Sequence, residues 1–327
     1  MTEPDVVAEA REFMRSRVVL TAAELDVFTR LDGEPKAAST LAEELHTDER
    51  ATARLLDGLV ALGLLEKGNG LYQPTARAKP LSSRHPESVR PSLLHLNHLW
   101  TDWSRLTETV RLGANPHRRA VTDPEEGRLE AFIQAMHANA RRLAVEIATA
   151  YDFGRFHRLL DVGGGPGTYA ITFLGRNPAL RVVLFDLPQV IALARQNLAA
   201  EHLTDRAELV PGDFYRDELP GGCDGAWLSA IIHQNSPEQN LELFRKVHRA
   251  LEPGGRLLIR DHVMDEDRTH PAQGALFAIN MLLVTEGGGT YTLAELERGL
   301  REAGFRATRL LRRGERMDCL VEARRED

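Results

Sequence analysis

Residues 158–168 read Arg158-Leu159-Leu160-Asp161-Val162-Gly163-Gly164-Gly165-Pro166-Gly167-Thr168. A short aliphatic run ends in an acid, passes through four glycines and a proline, and enters a stretch that reads as a helix from about 166 to 176. A strand that feeds a helix through a glycine loop is the opening unit of a doubly wound sheet, and glycine there lets a ligand approach the backbone closely. Two phosphate-binding readings fail on spacing. From Gly163 and Gly165, a dinucleotide fingerprint requires Gly or Ala where Thr168 stands. A triphosphate loop requires a Gly-Lys-Ser/Thr ending, and no lysine follows. What remains is an acid two residues ahead of G-x-G-x-G.

Outward from this loop the same grammar repeats. Leu180–Phe185, Ala207–Val210, Gly225–Ile232 and Arg256–Val263 are short runs rich in Leu, Val and Ile, with helices expected at 188–200 and 237–251. Alternating strand and helix predicts an α/β fold with a parallel, doubly wound, Rossmann-like sheet. The last two runs, 305–313 and 317–324, flank Gly314-Glu315 without a helix between them, so they form an antiparallel hairpin at the sheet edge. Acids recur where the strands end. Asp186 follows strand two in Phe185-Asp186-Leu187-Pro188, where a carboxylate accepts from both hydroxyls of a ribose. Asp213 follows strand three in Gly212-Asp213-Phe214, where the acid can accept from a ligand amino group and Phe214 can cover a ring. Any one acid is as easily a surface helix cap; three on successive strand ends weaken that reading.

The chain has 327 residues, 43% hydrophobic and 27% charged, which fits an ordinary globular protein of about two domains. Residues 1–150 read as almost wholly helical: 5–30 with a break near Thr21, a helix from Ser39, a third at 48–62 behind Thr47-Asp48, and two long helices at 91–112 and 126–150. Between them, 64–74 reads as strand, Asn69-Gly70 turn, strand. This is a winged-helix pattern, but residues 1–80 hold 10 Lys/Arg against 14 Asp/Glu. A phosphate-backbone binder needs the opposite balance, so the module is expected to pair subunits and not to bind nucleic acid. The expected boundaries are 1–85 for the dimerisation domain, 86–150 for a helical pocket roof and 151–327 for the sheet domain. The net charge of −7 argues against a phosphate-backbone binder, and two cysteines leave no disulfide framework or four-thiolate zinc site. No apolar run reaches a membrane span, and the N-terminus does not read as a signal peptide, so the expectation is a cytoplasmic protein with a small-molecule partner and no membrane.

Asp161–Gly167, Asp186-Leu187-Pro188, Gly212-Asp213-Phe214 and Glu252-Pro253-Gly254-Gly255-Arg256, taken in order, resemble the class I S-adenosylmethionine (SAM)-dependent small-molecule O-methyltransferases. The likeness is to the caffeate and hydroxyindole enzymes and their bacterial natural-product relatives, and it covers nearly the whole chain. It implies SAM as cofactor, a homodimer formed through the winged helix, and a metal-independent reaction on an aromatic or polyketide-like hydroxyl. It also implies cofactor contacts at Asp161, Gly163, Gly165, Asp186, Leu187, Asp213, Phe214 and Ser229. His233, after strand four, falls on the family's catalytic base, and Asp261, after strand five, on the acid that orients it. Full proton transfer from a phenol (pKa ~10) to an ordinary imidazole (~6.5) costs roughly 5 kcal/mol, and partial transfer during attack costs less. Phe132, Met136, Phe277, Asn280 and Met281 are the candidate substrate contacts, with Asn280 the one polar residue in an otherwise apolar stripe.

Two departures stand out. The family's His-Asp-Trp is His233-Gln234-Asn235 here. Its Gly-Gly-x-Glu-Arg-Thr is Gly287-Gly288-Gly289-Thr290-Tyr291-Thr292, with Thr290 in place of a second acid. They leave open a divergent SAM-binding homologue that decarboxylates, hydroxylates or cyclises. A SAM-sensing winged-helix regulator is a further alternative, against which the acidic N-terminal balance argues.

Overall fold

In the computed structural model, residues 5–118 and 128–326 are described. The chain forms two units, one of Met1–Thr101 and Pro124–Asn139, the other of Asp102–Asp123 and Ala140–Asp327.

In the first unit α1 (Val6–Glu24), α2 (Val27–Arg30), α3 (Ala38–Leu45) and α4 (Glu49–Ala61) surround one core. The Asp48 side chain caps α4 by accepting from the Ala51 amide at 2.8 Å. Thr52, Leu56 and Leu59 then bury one face of that helix against a core that includes Phe28, Leu31 and Leu41. β2 (Leu65–Gly68) and β3 (Leu71–Pro74) form the expected wing. Asn69 and Gly70 at its tip both have positive φ, as a tight two-residue hairpin requires. A two-residue strand, β1 (Lys36–Ala37), adds to β3 and was not foreseen. The break in the first helix falls not at Thr21 but after Glu24, where Asp26 adopts φ 59°. The expected helix 91–112 is two: α5 (Arg90–Ser104) and α6 (Leu106–Leu112). α7 (Arg128–Ala150) accounts for the next, of which positions 126–127 lie outside the described residues.

The second unit is built on seven strands. They are β4 (Arg158–Val162), β5 (Arg181–Asp186), β6 (Ala207–Pro211), β7 (Cys223–Ser229), β8 (Leu251–Asp261), and, later in the chain, β11 (Arg306–Arg312) and β12 (Cys319–Arg324). Their order is β11-β12-β8-β7-β4-β5-β6. The five from β8 to β6 are parallel, and β12 and β11 close one edge antiparallel. α8 (Thr168–Arg176), α9 (Pro188–Ala200), α10 (Pro237–Ala250), α11 (Ala272–Val284) and α12 (Leu293–Glu302) connect them. Chain order reverses between β4 and β7, so a crevice opens at the carboxyl ends of these two strands, where ligands of open sheets bind.

Two expected strand ends move. Strand four stops at Ser229, because Ala230 turns left-handed at φ 57° and the chain enters a short 3-10 turn, Ile232–Gln234. Strand five ends at Asp261. Val263–Met264 (β9) then pairs in parallel with Tyr291–Thr292 (β10) in a separate ribbon. No described helix is long and apolar enough to cross a membrane.

Candidate active site

The glycine loop follows β4 directly. Gly163, Gly165 and Gly167 have φ of +65°, +56° and +82°, a region that side chains disfavour. The Gly163 amide donates to the Phe185 carbonyl at 2.8 Å and ties the loop to β5. A Cβ at 163 would meet Ile231 at 2.6 Å, with Phe214 at 3.7 Å, so these side chains crowd that point of the loop. A Cβ at Gly165 would meet nothing within 4 Å. That side of the loop is open.

Acids surround it. Asp186 accepts from the Gly165 and Leu187 amides, each at 2.7 Å. Burial raises its carboxyl above the usual range, and the two amides oppose that rise. Asp161 is 2% exposed, and its Oδ2 has no hydrogen-bond partner. Burial, with the Asp186 charge adding, pushes its carboxyl up to about 8. Asp213, just beyond β6, accepts from the Tyr215 amide at 2.9 Å, and its other carboxyl oxygen lies 3.7 Å from Arg216. The Phe214 ring lies 4.5 Å from that of Tyr215. Ser229 ends β7 and accepts from Arg260 Nε at 2.8 Å. An orphaned buried carboxyl, a second acid beside an open glycine and an aromatic ring beside the loop fit a cationic nucleoside-amino acid such as SAM. A carboxyl that burial holds protonated ionises readily only beside an opposite charge.

His233 lies in the 3-10 turn beyond β7, not at a strand end. Its Nδ1 is 3.0 and 2.9 Å from the two Asp261 oxygens. The side chains are 12% and 2% exposed. Burial pushes the Asp261 carboxyl up, but His233, Arg260 and the His262 amide together outweigh burial and hold it below the usual range. In the tautomer that donates from Nδ1 to Asp261, Nε2 carries the lone pair and can accept a proton. The Phe277 ring meets His233 edge-on at 4.9 Å and His262 at 5.1 Å.

Of the candidate substrate contacts, Phe277, Asn280 and Met281 share α11. Phe277 and Asn280 are half-buried, while Met281 is buried. Asn280 does not lack a partner inside the protein: its Oδ1 accepts from the Trp103 indole at 3.0 Å. Phe132 and Met136 belong to the first unit, half-buried on α7, with the Phe132 ring 5.2 Å from His95.

Three features escaped the sequence reading. Gly289 donates its amide to the His233 carbonyl at 2.8 Å. A Cβ at Gly288 would stand 2.4 Å from that same oxygen. The glycine run 287–289 therefore braces the His233 turn through its backbone, and the run itself was the available signal. Asn235 is fully buried. Its side chain accepts from the Tyr215 hydroxyl at 2.6 Å and donates to Asn240 at 2.9 Å. Asn240 in turn donates to the Ile232 carbonyl at 2.9 Å. The Trp103 indole, which donates to Asn280, gives no local sequence signal of that contact.

Residues 103–306 match the O-methyltransferase domain model, and residues 9–84 the O-methyltransferase dimerisation domain model. The tetracenomycin polyketide synthesis 8-O-methyl transferase TcmO of Streptomyces glaucescens is 34% identical over 92% of this chain and 91% of that protein. The solved structure of PigF with SAH superposes with a TM-score of 0.91 at 27% identity, covering 99% of this chain and all of that one. Human N-acetylserotonin methyltransferase in complex with SAM does so with a TM-score of 0.86 at 25% identity, covering 100% of this chain and 99% of that one. With the glycine loop, the acids at the strand ends and an N-terminal module of the matching type, the chain belongs to the SAM-dependent O-methyltransferases that carry a dimerisation domain.

Proposed function

We propose that this enzyme methylates a hydroxyl of an aromatic or polyketide-like small molecule without a metal, with His233 as general base and Asp261 as its orienting partner, and that it works as a homodimer. The observation that carries the reading is the buried His233–Asp261 pair beside the crevice. SAM, when bound, supplies a methyl group on a sulfonium leaving group. The remaining work falls to side chains of this chain. His233 Nε2 takes the substrate hydroxyl proton as the oxygen becomes nucleophilic, and Asp261 stabilises the imidazolium that forms. Gly163, Gly165, Asp161, Asp186, Leu187, Asp213, Phe214 and Ser229 hold and orient the cofactor. Orientation in line with the acceptor oxygen contributes much of the rate.

Phe277, Asn280, Met281, Phe132 and Met136 are proposed to contact substrate, with Asn280 offering its amide N–H groups while Trp103 occupies its oxygen. An aromatic acceptor is supported by these residue types and by relatives such as the polyketide 8-O-methyl transferase and the 3-hydroxy-5-methyl-1-naphthoate 3-O-methyltransferase of Streptomyces sahachiroi. Metal independence is proposed because the sulfonium already provides a good leaving group, so the transfer needs no Lewis acid to activate it. The dimer is supported by the domain match and by exposed Val6, Val7, Phe13 and Met14 on α1. The test is incubation with SAM and a panel of phenols, naphthols and hydroxylated polycyclic ketones in the presence of chelator. S-adenosylhomocysteine release is measured, and the methylated atom is located by NMR. O-methyl products that persist in chelator are expected; a product altered without methyl gain overturns the reading.

A further inference from the structure

The turn that carries His233 is held by a chain of buried side-chain amides. Asn235 is wholly buried, and Asn240, near the start of α10, is 3% exposed. Asn240 Nδ2 donates to the Ile232 carbonyl at 2.9 Å. Asn235 Nδ2 donates to Asn240 Oδ1 at 2.9 Å, and the Tyr215 hydroxyl donates to Asn235 Oδ1 at 2.6 Å. The direction of this chain is not free. A backbone carbonyl can only accept, so Asn240 must turn its NH₂ to Ile232 and its oxygen to Asn235. Asn235 must then turn its own oxygen outward, where only a donor satisfies it. The Tyr215 hydroxyl is that donor.

The outer end of the chain lies in the loop after β6 that carries Asp213 and Phe214. Tyr215 follows them, 48% exposed. Lys246, itself 9% exposed, fastens this loop to α10, its Nζ donating to the Phe214 and Asp217 carbonyls at 2.9 and 2.7 Å. α10 thus grips the loop through Lys246 and the His233 turn through Asn240, and the Tyr215–Asn235 bond joins the two directly. On its other side the turn is held by the Gly289 amide, which donates to the His233 carbonyl, and by the Tyr291 hydroxyl, which donates to the Asn235 carbonyl. Asn235 stands where the resembled His-Asp-Trp motif has tryptophan, so the brace is built on a departure from that motif.

We propose that Tyr215 and Asn235 are positioning residues for methyl transfer: their hydrogen bond sets the His233 turn in register with the Asp213–Phe214 loop, a role that rests on His233 being the base. Neither side chain touches the reacting atoms. Loss of the tyrosine hydroxyl leaves a buried amide oxygen without a donor, and the turn behind it shifts. A small displacement of a catalytic group is costly in rate. Placement of a base matters only while the acceptor still holds its proton. The effect therefore depends on the ionisation of the acceptor, a dependence that neither a loosened fold nor a weaker cofactor site produces.

Tyr215→Phe keeps the ring and removes the hydroxyl at an exposed position. The full-length enzyme is assayed with an accepted phenol and with an accepted nitro-substituted analogue, at a pH above the pKa of the analogue and below that of the phenol. For the un-ionised phenol kcat is expected to fall about 5- to 10-fold, and for the phenolate to stay within about 2-fold of wild type. S-adenosylhomocysteine affinity, by calorimetry, is expected to stay within about 2-fold. In an Asn235→Leu background, where the hydroxyl has no amide to meet, the same change is expected to cost less than it does in the wild type. Equal losses for the two acceptors, a loss confined to cofactor affinity, additive losses in the double variant, or no loss at all overturn the proposal. If Asn235→Leu does not fold, the two acceptors decide alone. His233→Gln is run alongside: a wild-type rate on the un-ionised phenol there overturns the base assignment itself, a result distinct from the others.

Discussion

Asp261→Asn is the perturbation that separates a positioned base from a histidine that merely packs. In the wild type an ionised carboxylate, 2% exposed, lies 2.9 Å from His233 Nδ1. As the substrate proton moves to Nε2, the imidazole gains a charge that this carboxylate stabilises. For charge centres about 4 Å apart at an effective dielectric of about 20, the interaction is about 4 kcal/mol. Each 1.36 kcal/mol is tenfold in rate, so the upper bound is about 10³-fold. The asparagine amide adds a second fault, because its NH₂ donates to Nδ1 and drives the ring proton onto Nε2, where the lone pair is needed. A loss of kcat of about 10²- to 10³-fold is expected, with S-adenosylhomocysteine affinity within about 2-fold of wild type. Steady-state release of S-adenosylhomocysteine with an accepted phenol measures the first quantity, and calorimetry the second. The loss should shrink for acceptors of lower pKa, which need less help in losing their proton. Turnover within about 3-fold of wild type, or an equal loss for acidic and ordinary phenols, would refute the reasoning.

Other expectations follow from the same geometry. Gly288→Ala brings a Cβ to 2.4 Å from the His233 carbonyl and 2.6 Å from Thr285 Oγ1; the His233 turn must shift, and kcat should fall at least tenfold while circular dichroism stays native. Gly163→Ala meets Ile231 at 2.6 Å in a left-handed conformation, so S-adenosylhomocysteine binding should be lost by calorimetry with the helical N-terminal unit still folded. Asp161 has a folded-state pKa of about 8, raised by burial from the ordinary 3.8; a raised carboxyl favours the fold below the unfolded value and loses that advantage as pH rises through the folded one. The unliganded enzyme should therefore lose stability from about pH 4 to about pH 8, and Asp161→Asn should flatten that slope in urea titrations. At pH 7 the cationic cofactor should expel the Asp161 proton, seen as a dependence of binding heat on buffer ionisation enthalpy; no proton release would contradict it. Phe13→Glu with Met14→Glu on α1 should lower the mass measured by light scattering from dimer to monomer.

The parts of the fold that were legible in the sequence are those set by local chemistry. The glycine loop, the Asp-Leu-Pro at the end of β5 and the Asn-Gly wing turn each combine a special backbone demand with the residue that meets it. Boundaries set by tertiary context were not legible. Nothing in Ala230 signals a left-handed turn, so strand four reads through to Ile232, although the structure releases it at Ser229 and so places His233 in a turn. The replacement of a second acid by Thr290 reads as a loss. The structure shows the adjacent Gly289 holding the His233 carbonyl, a backbone contact that no side-chain pattern reports. Asn280 reads as a polar group awaiting a ligand, but Trp103 comes from a helix 177 positions away in sequence.

The claim that His233 is the base is tested most directly by His233→Gln, which keeps a polar side chain of similar length but cannot accept a proton at neutral pH. With methyl-deuterated SAM and an accepted phenol, mass spectrometry of product formed in single turnovers reads methyl transfer independently of substrate release. The account predicts a rate at least about 10²-fold below wild type, native S-adenosylhomocysteine affinity, and partial recovery as pH rises toward the pKa of the phenol. A His233→Gln enzyme that transfers the labelled methyl at the wild-type rate, with the same pH profile, would contradict it.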